Sequence, residues 1–183
     1  MTPIFTKTIL TWLEQHTISR WVIVNTFGWM LAFIIAGLLI NWLSVWLGIV
    51  AVFVGGGVIG LIVGGLQAWS IRPNAAAHWM FYSIIGGIIG VIPVFLSAFS
   101  LVAGQEIGFG VMGGLYGLSL GGMQSLHYDG EVALIWMLST MLASCLCSII
   151  TFTGSFLPLL MGPIVFGSIT GITLAWLLRE KDE

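Results

Sequence analysis

The feature that most constrains this chain is a succession of apolar runs, each near the roughly 20 residues that a helix needs to cross a bilayer core. Of its 183 residues 58% are hydrophobic and only 7% charged, where a soluble domain carries about 25% charged residues. With a mean hydropathy of +1.10, no soluble fold could hide so much apolar surface. Lipid is therefore the solvent, and the expected fold is an all-α polytopic membrane protein. Six spans are predicted, near residues 21–42, 47–70, 79–100, 107–126, 132–152 and 157–178. Pro93 and Pro163 are the expected kinks.

Residues 1–20 lack the continuous apolar core of a signal peptide. Thr2 is placed to cap a helix with Pro3 in its first turn, and Phe5, Ile9, Trp12, Leu13 and His16 recur at helical spacing. This predicts an amphipathic helix in the cytoplasmic membrane interface. Residues 21–178 then form one transmembrane domain, followed by a short tail, 179–183.

With those spans, Lys7, Arg20, Arg72, Arg179 and Lys181 all fall on one side, and the opposite loops around Ser44, Gly104 and Gly154 hold no Lys or Arg. Basic residues stay on the cytoplasmic side, so both termini are expected there, in a bacterial inner membrane. One span more or fewer would scatter the basic residues across both sides.

A shift of 57 residues carries Gly56, Gly57, Gly60, Gly64, Gly65, Gln67 and Trp79 onto Gly113, Gly114, Gly117, Gly121, Gly122, Gln124 and Trp136. Trp21, Asn25 and Gly28 read onto Trp79, Ser83 and Gly86, then onto Trp136, Thr140 and Ala143. Gly167, Gly171, Trp176 and Arg179 repeat the spacing of Gly60, Gly64, Trp69 and Arg72. The pattern predicts three copies of a two-helix unit, about 21–72, 79–129 and 136–179. Two spans return the chain to its starting side, so the copies run parallel and pseudo-threefold packing follows.

These Trp/Gly units, with closely spaced glycines leading to Gln67-Ala68-Trp69-Ser70-Ile71-Arg72, resemble a loosely defined group of uncharacterised, glycine-rich polytopic bacterial membrane proteins. The resemblance runs from Trp21 onward and implies no activity. The second copy departs from it in having Leu126 and Asp129 where the first has Trp and Arg.

Gly56, Gly60 and Gly64 recur every fourth residue, as do Gly113, Gly117 and Gly121, and Gly167 and Gly171 continue the theme. Each set makes a smooth stripe where another helix can approach closely. Gln67 and Gln124 lie on these stripes and should face protein, either bonding between helices or reading a ligand in a cytoplasm-facing pocket. Trp69 and Trp176 fall about 140° from the groove, toward lipid. Trp21, Trp79 and Trp136 begin the odd spans and are expected in the aromatic belt, with inward packing or an aromatic box as the alternative.

Glu106, beside Gln105, reads as a helix-terminal carboxylate. His78, His127, Asp129 and Glu131 read as solvated loop residues. Cys145 and Cys147 lie two apart, about 200° around a helix, and read as packing residues. No cofactor or metal is expected. The net charge of −2 with scattered basic residues excludes nucleic acid. Neither H-E-x-x-H, G-x-S-x-G nor a P-loop occurs, so no catalytic residue is assigned.

The function expected is noncatalytic: an interaction or assembly partner in a membrane complex, with other membrane proteins or its own copies. The alternative is a subunit that binds or transports a small hydrophobic molecule near Gln67 and Gln124. The orientation has a direct check. In a background lacking Cys145 and Cys147, single cysteines at Ser44, Gly104 or Gly154 should react in intact cells with an impermeant thiol reagent, and one at Asn74 should not.

Overall fold

The computed structural model describes residues 17–71, 76–97, 105–151 and 156–180. They form α1 (Thr17–Leu47), α2 (Val50–Ile71), α3 (Ala76–Ser97), α4 (Gln105–Ser125), α5 (Gly130–Thr151) and α6 (Phe156–Glu180). No strand occurs among the described residues. Five of the six helices, all but α4, are long and apolar enough to cross a membrane, which fits a multi-pass membrane protein. α4 is long enough at 21 residues. Its many glycines, Gly108, Gly110, Gly113, Gly114, Gly117, Gly121 and Gly122, contribute little apolar surface.

The first loop differs from expectation. α1 continues through Ser44 to Leu47, so Ser44 is helical, its hydroxyl donating to the Asn41 carbonyl at 3.0 Å. The reversal falls instead at Gly48, whose φ of 54° suits glycine. Its N–H bonds the Ser44 carbonyl at 3.0 Å, closing the helix as a left-handed cap does. α1 is 31 residues long, about 46 Å at 1.5 Å per residue, and exceeds a hydrocarbon core of roughly 30 Å. Trp42 and Trp46 are exposed on its far end. Thr17 to Arg20 belong to the start of α1. The stripe from Phe5 to His16 and the loop positions Gly104 and Gly154 lie outside the described residues, as does the Glu106 side chain.

Each helix packs on its neighbours in the chain, and α6 packs back on α1, closing a ring of six. Large apolar side chains such as Phe27, Ile34, Leu61, Phe81, Leu142 and Ile172 face outward. The closest contacts between neighbouring helices are made by small residues. That inside-out distribution fits lipid, where burying apolar surface between helices gains nothing and close van der Waals contact must hold them.

The glycines show how close the contact is. A β-carbon on Gly60 would strike the Ser83 carbonyl, and one on Gly64 the Ser83 side chain, while Gly56 and Gly87 face each other backbone to backbone. The α2 stripe therefore seats α3. On α4, Gly113, Gly117 and Gly121 seat Ser144, Ser148 and Thr140 of α5. On α6, Gly167 lies against Val22 and Asn25, and Gly171 against Trp21, all of α1. At Gly60 and Gly117 the atoms in the way include backbone carbonyls, which no rotamer change can move.

Gly60→Leu and Gly117→Leu should each lower thermal stability in detergent by at least about 1–3 kcal/mol, the usual penalty for overpacking. Leu142→Ala, on the outer face, should leave it nearly unchanged. Wild-type melting of both glycine variants would contradict the close-contact geometry.

Candidate functional site

The ring's interior has two parts of different chemistry. Where α1, α3 and α5 begin, Trp21, Trp79 and Trp136 point inward and are 1%, 1% and 0% exposed. The belt expected for them is thus corrected. Their rings form a triangle of edge contacts, 6.5 Å between Trp21 and Trp79, 6.0 Å between Trp21 and Trp136, and 5.3 Å between Trp79 and Trp136. An indole is stable inside when its N–H finds an acceptor, and each of these does. Trp79 Nε1 donates to Gln67 Oε1 at 3.1 Å, Trp136 Nε1 to Gln124 Oε1 at 3.2 Å and Trp21 Nε1 to Thr170 Oγ1 at 2.9 Å. Trp69 and Trp176, at 61% and 45% exposed, stay outside. The Arg20 guanidinium lies 4.7 Å over the Trp69 ring and its Nη2 donates to the Trp69 carbonyl.

Gln67 and Gln124 join these indoles into one network. Gln124 Nε2 donates to Gln67 Oε1 and to Ser83 Oγ, both at 2.9 Å. Gln67 Nε2 donates to Asn25 Oδ1 at 2.7 Å, and Asn25 Nδ2 in turn to the Trp21 carbonyl at 2.9 Å. The amide orientations follow from the partners: Gln67 Oε1 receives two donors, and a flipped amide would set N–H against N–H. The network touches all six helices, because Trp21 and Asn25 belong to α1, Gln67 to α2, Ser83 to α3, Gln124 to α4, Trp136 to α5 and Thr170 to α6.

Leu174 and Leu177 pack against the three indoles, as does Tyr128 in the turn after α4. The Tyr128 ring lies 6.1 Å from Trp79 and 5.9 Å from Trp136. Burial pushes its hydroxyl up to about 12, so it is neutral at physiological pH and brings no charge onto the cluster. His127, Asp129 and Glu131 are exposed.

Beyond a layer that includes Val63 and Leu120, one helical turn from the two glutamines, the interior opens into a cavity of about 230 Å³. All six helices line it, for example through Trp29, Ile59, Val91, Tyr116, Ser144 and Phe166. Neither Gln67 nor Gln124 does. Its walls are largely apolar and aromatic, with Trp29 set 5.2 Å from Phe166 and 6.0 Å from Tyr116, centroid to centroid. Gly56 and Gly113 also contribute to its lining, at positions where each is pressed against the neighbouring helix.

Here the polar accounting changes. Trp29 Nε1, the Tyr116 hydroxyl and the Ser144 hydroxyl are buried without a hydrogen-bond partner. An unmet buried group costs about 1–3 kcal/mol; all three residues line the cavity, while these polar atoms themselves are shielded from it. The other such atom found among the described residues, Arg20 Nε, belongs to the start of α1, where the indoles cluster. Cys147 also lines the cavity, its Sγ 3.8 Å from Thr151 Oγ1, and both cysteines are free thiols. Among the described residues no group of three His, Cys, Asp or Glu could hold a metal.

Sequence reasoning assigned no role to Thr170, nor to Trp29, Tyr116 and Ser144. Asn25 and Ser83 entered only as repeat positions. The signal for those two was present in their spacing, since Asn25 and Ser83 each follow an inward Trp by one helical turn. Nothing comparable marks the cavity residues, which converge from three helices. Comparison with protein-family models, with curated proteins and with solved structures finds no match.

Gln124→Leu strands the Trp136 N–H and should cost about 1–2 kcal/mol in thermal or denaturant unfolding. Adding Trp136→Phe should recover part of that loss, because removing both partners of a buried bond is cheaper than removing one. Strict additivity in the double-mutant cycle would contradict the bond.

Proposed function

We propose that this protein is a noncatalytic, membrane-embedded binding protein that holds a small apolar molecule in the cavity on the axis of its helix ring. The observation that carries the reading is the cavity itself, lined by residues of all six helices that are mainly aromatic and aliphatic. Pockets that accept small ligands are concave and largely apolar with a few convergent polar groups. The glycine grooves that suggested an outside partner are occupied by helices of the same chain. What remains on the outer surface is bulky apolar side chain suited to lipid.

In this reading α4 completes six spans, since it packs between α3 and α5 in the ring. The three helix pairs are copies of one unit around a pseudo-threefold axis. Support comes from the bonds Trp79–Gln67 and Trp136–Gln124, which recur 57 residues apart, and from the indole triangle. Leu174 takes the glutamine position of the third unit, and Thr170, one turn earlier, accepts from Trp21 instead. The five basic residues put the indole end at the cytoplasmic face of a bacterial inner membrane, with both termini there. The indole–amide cluster then closes the cytoplasmic side, and a ligand reaches the cavity from the bilayer or from the outer face.

Purified in native-lipid nanodiscs and examined by native mass spectrometry, the wild type should carry a small molecule at a fixed stoichiometry. Ile59→Trp and Met112→Trp, which fill the cavity, should lose it while melting near the wild-type temperature. An empty wild type accompanied by a stoichiometric protein partner would overturn the reading in favour of an assembly role.

A further inference from the structure

On the outside of the ring, at its indole end, a fixed cation meets the apolar surface. Arg20 lies in the first turn of α1, and its guanidinium is held from two directions. The Trp69 ring lies against it at 4.7 Å, and Nη2 donates to the Trp69 carbonyl at 2.8 Å. A long side chain held this way has already given up much of the rotamer freedom that binding a ligand would otherwise cost. Its charge is not neutralised in the same way, because a carbonyl and a ring face offer only partial negative charge. The carboxylates among the described side chains, Asp129 and Glu131, belong to the turn before α5 and to its first turn, across the ring from α1 and α2.

The surface that runs from Arg20 along α1 has the shape of a lipid chain's bed. Ile23, Phe27, Leu31 and Ile34 follow it at helical spacing on one face, and all four are exposed, as is Trp69 on α2. From Arg20 to Leu31 the helix rises about 16 Å, close to half of a hydrocarbon core of roughly 30 Å. The stripe therefore runs from headgroup level to the midplane of one leaflet. An anionic phospholipid presents the complementary order, a phosphate at headgroup level and an apolar chain beneath it, and a cation at that level attracts it. We propose that Arg20 and Trp69 hold the headgroup phosphate of an anionic phospholipid in the leaflet at the indole end, with an acyl chain lying along Ile23, Phe27 and Leu31. This site is separate from the cavity and does not rest on the cavity's being occupied.

The test places the full-length protein in nanodiscs of dioleoylphosphatidylglycerol and dioleoylphosphatidylcholine in equal amounts and counts, by native mass spectrometry, the lipid that stays bound on release. The wild type should retain the anionic lipid over the zwitterionic one. Arg20→Gln should lower that ratio about fivefold, the worth of one basic side chain beside an anionic headgroup, and Arg20→Lys, which keeps the charge, should preserve most of it. Ile23→Glu leaves the two Arg20 contacts in place and sets a carboxylate one helical turn away, so it should lower the ratio as well. Should Arg20→Gln fail to fold, Ile23→Glu decides alone. A wild type without preference, or a ratio that Ile23→Glu leaves unchanged, would overturn the proposal and reduce Arg20 to a cap on the end of α2. Displacement of the retained lipid by soluble glycerol phosphate would overturn it too, by assigning the guanidinium to a free phosphate.

Discussion

Close contact between backbones is the constraint on which this structure depends. In lipid, a leucine pressed against another helix gains little over a leucine pressed against acyl chains, so association must come from contacts that lipid cannot imitate. Gly60 against the Ser83 carbonyl, Gly117 against Ser144 and the Thr140 carbonyl, and Gly167 against Val22 are such contacts. Each glycine stripe lies on an even-numbered helix and seats the next helix around the ring, with α6 seating α1. The ring closes because every stripe has a partner in the same chain. The bulky residues displaced from these seams face outward.

Close packing leaves little room for polar side chains, and those kept inside are handled in two ways. At one end, three indoles, two glutamines, an asparagine, a serine and a threonine complete one another's hydrogen bonds across all six helices. Breaking any member leaves a buried group unmet, so the cluster fixes the relative register of helices that glycine seams alone would allow to slide. At the other end the packing opens and Trp29, Tyr116 and Ser144 are left without partners. Groups of the same kinds, the indoles of Trp21, Trp79 and Trp136 and the hydroxyl of Thr140, are satisfied one or two helical turns away.

Much of the architecture was legible in the residues. Runs of apolar residues near the length of a bilayer core located the six helices, with ends displaced by a few residues, because lipid demands a stretch of that length whatever the tertiary fold. The first loop was misplaced at Ser44, since a serine can remain helical by bonding back to Asn41, and the chain reverses only where Gly48 permits a positive φ. The tryptophans divided. Trp69 and Trp176 lie outward as their angle from the glycine stripe indicates. Trp21, Trp79 and Trp136 turn inward, because each finds an acceptor one neighbouring helix supplies, a fact about pairs of helices that spacing along one cannot contain.

The sequence by itself determined a helical membrane protein whose glycines recur at helical spacing and whose glutamines lie on the glycine faces. Those properties are set by the bilayer's thickness and by the 3.6-residue period of a single helix. Only the tertiary structure decided which polar atoms meet and which are left over. It joined Gln67 and Gln124 to each other and to the indoles, and it left the open space beside Trp29, Tyr116 and Ser144. Those three residues come from α1, α4 and α5 and share no motif, and nothing short of the closed ring brings them around one cavity.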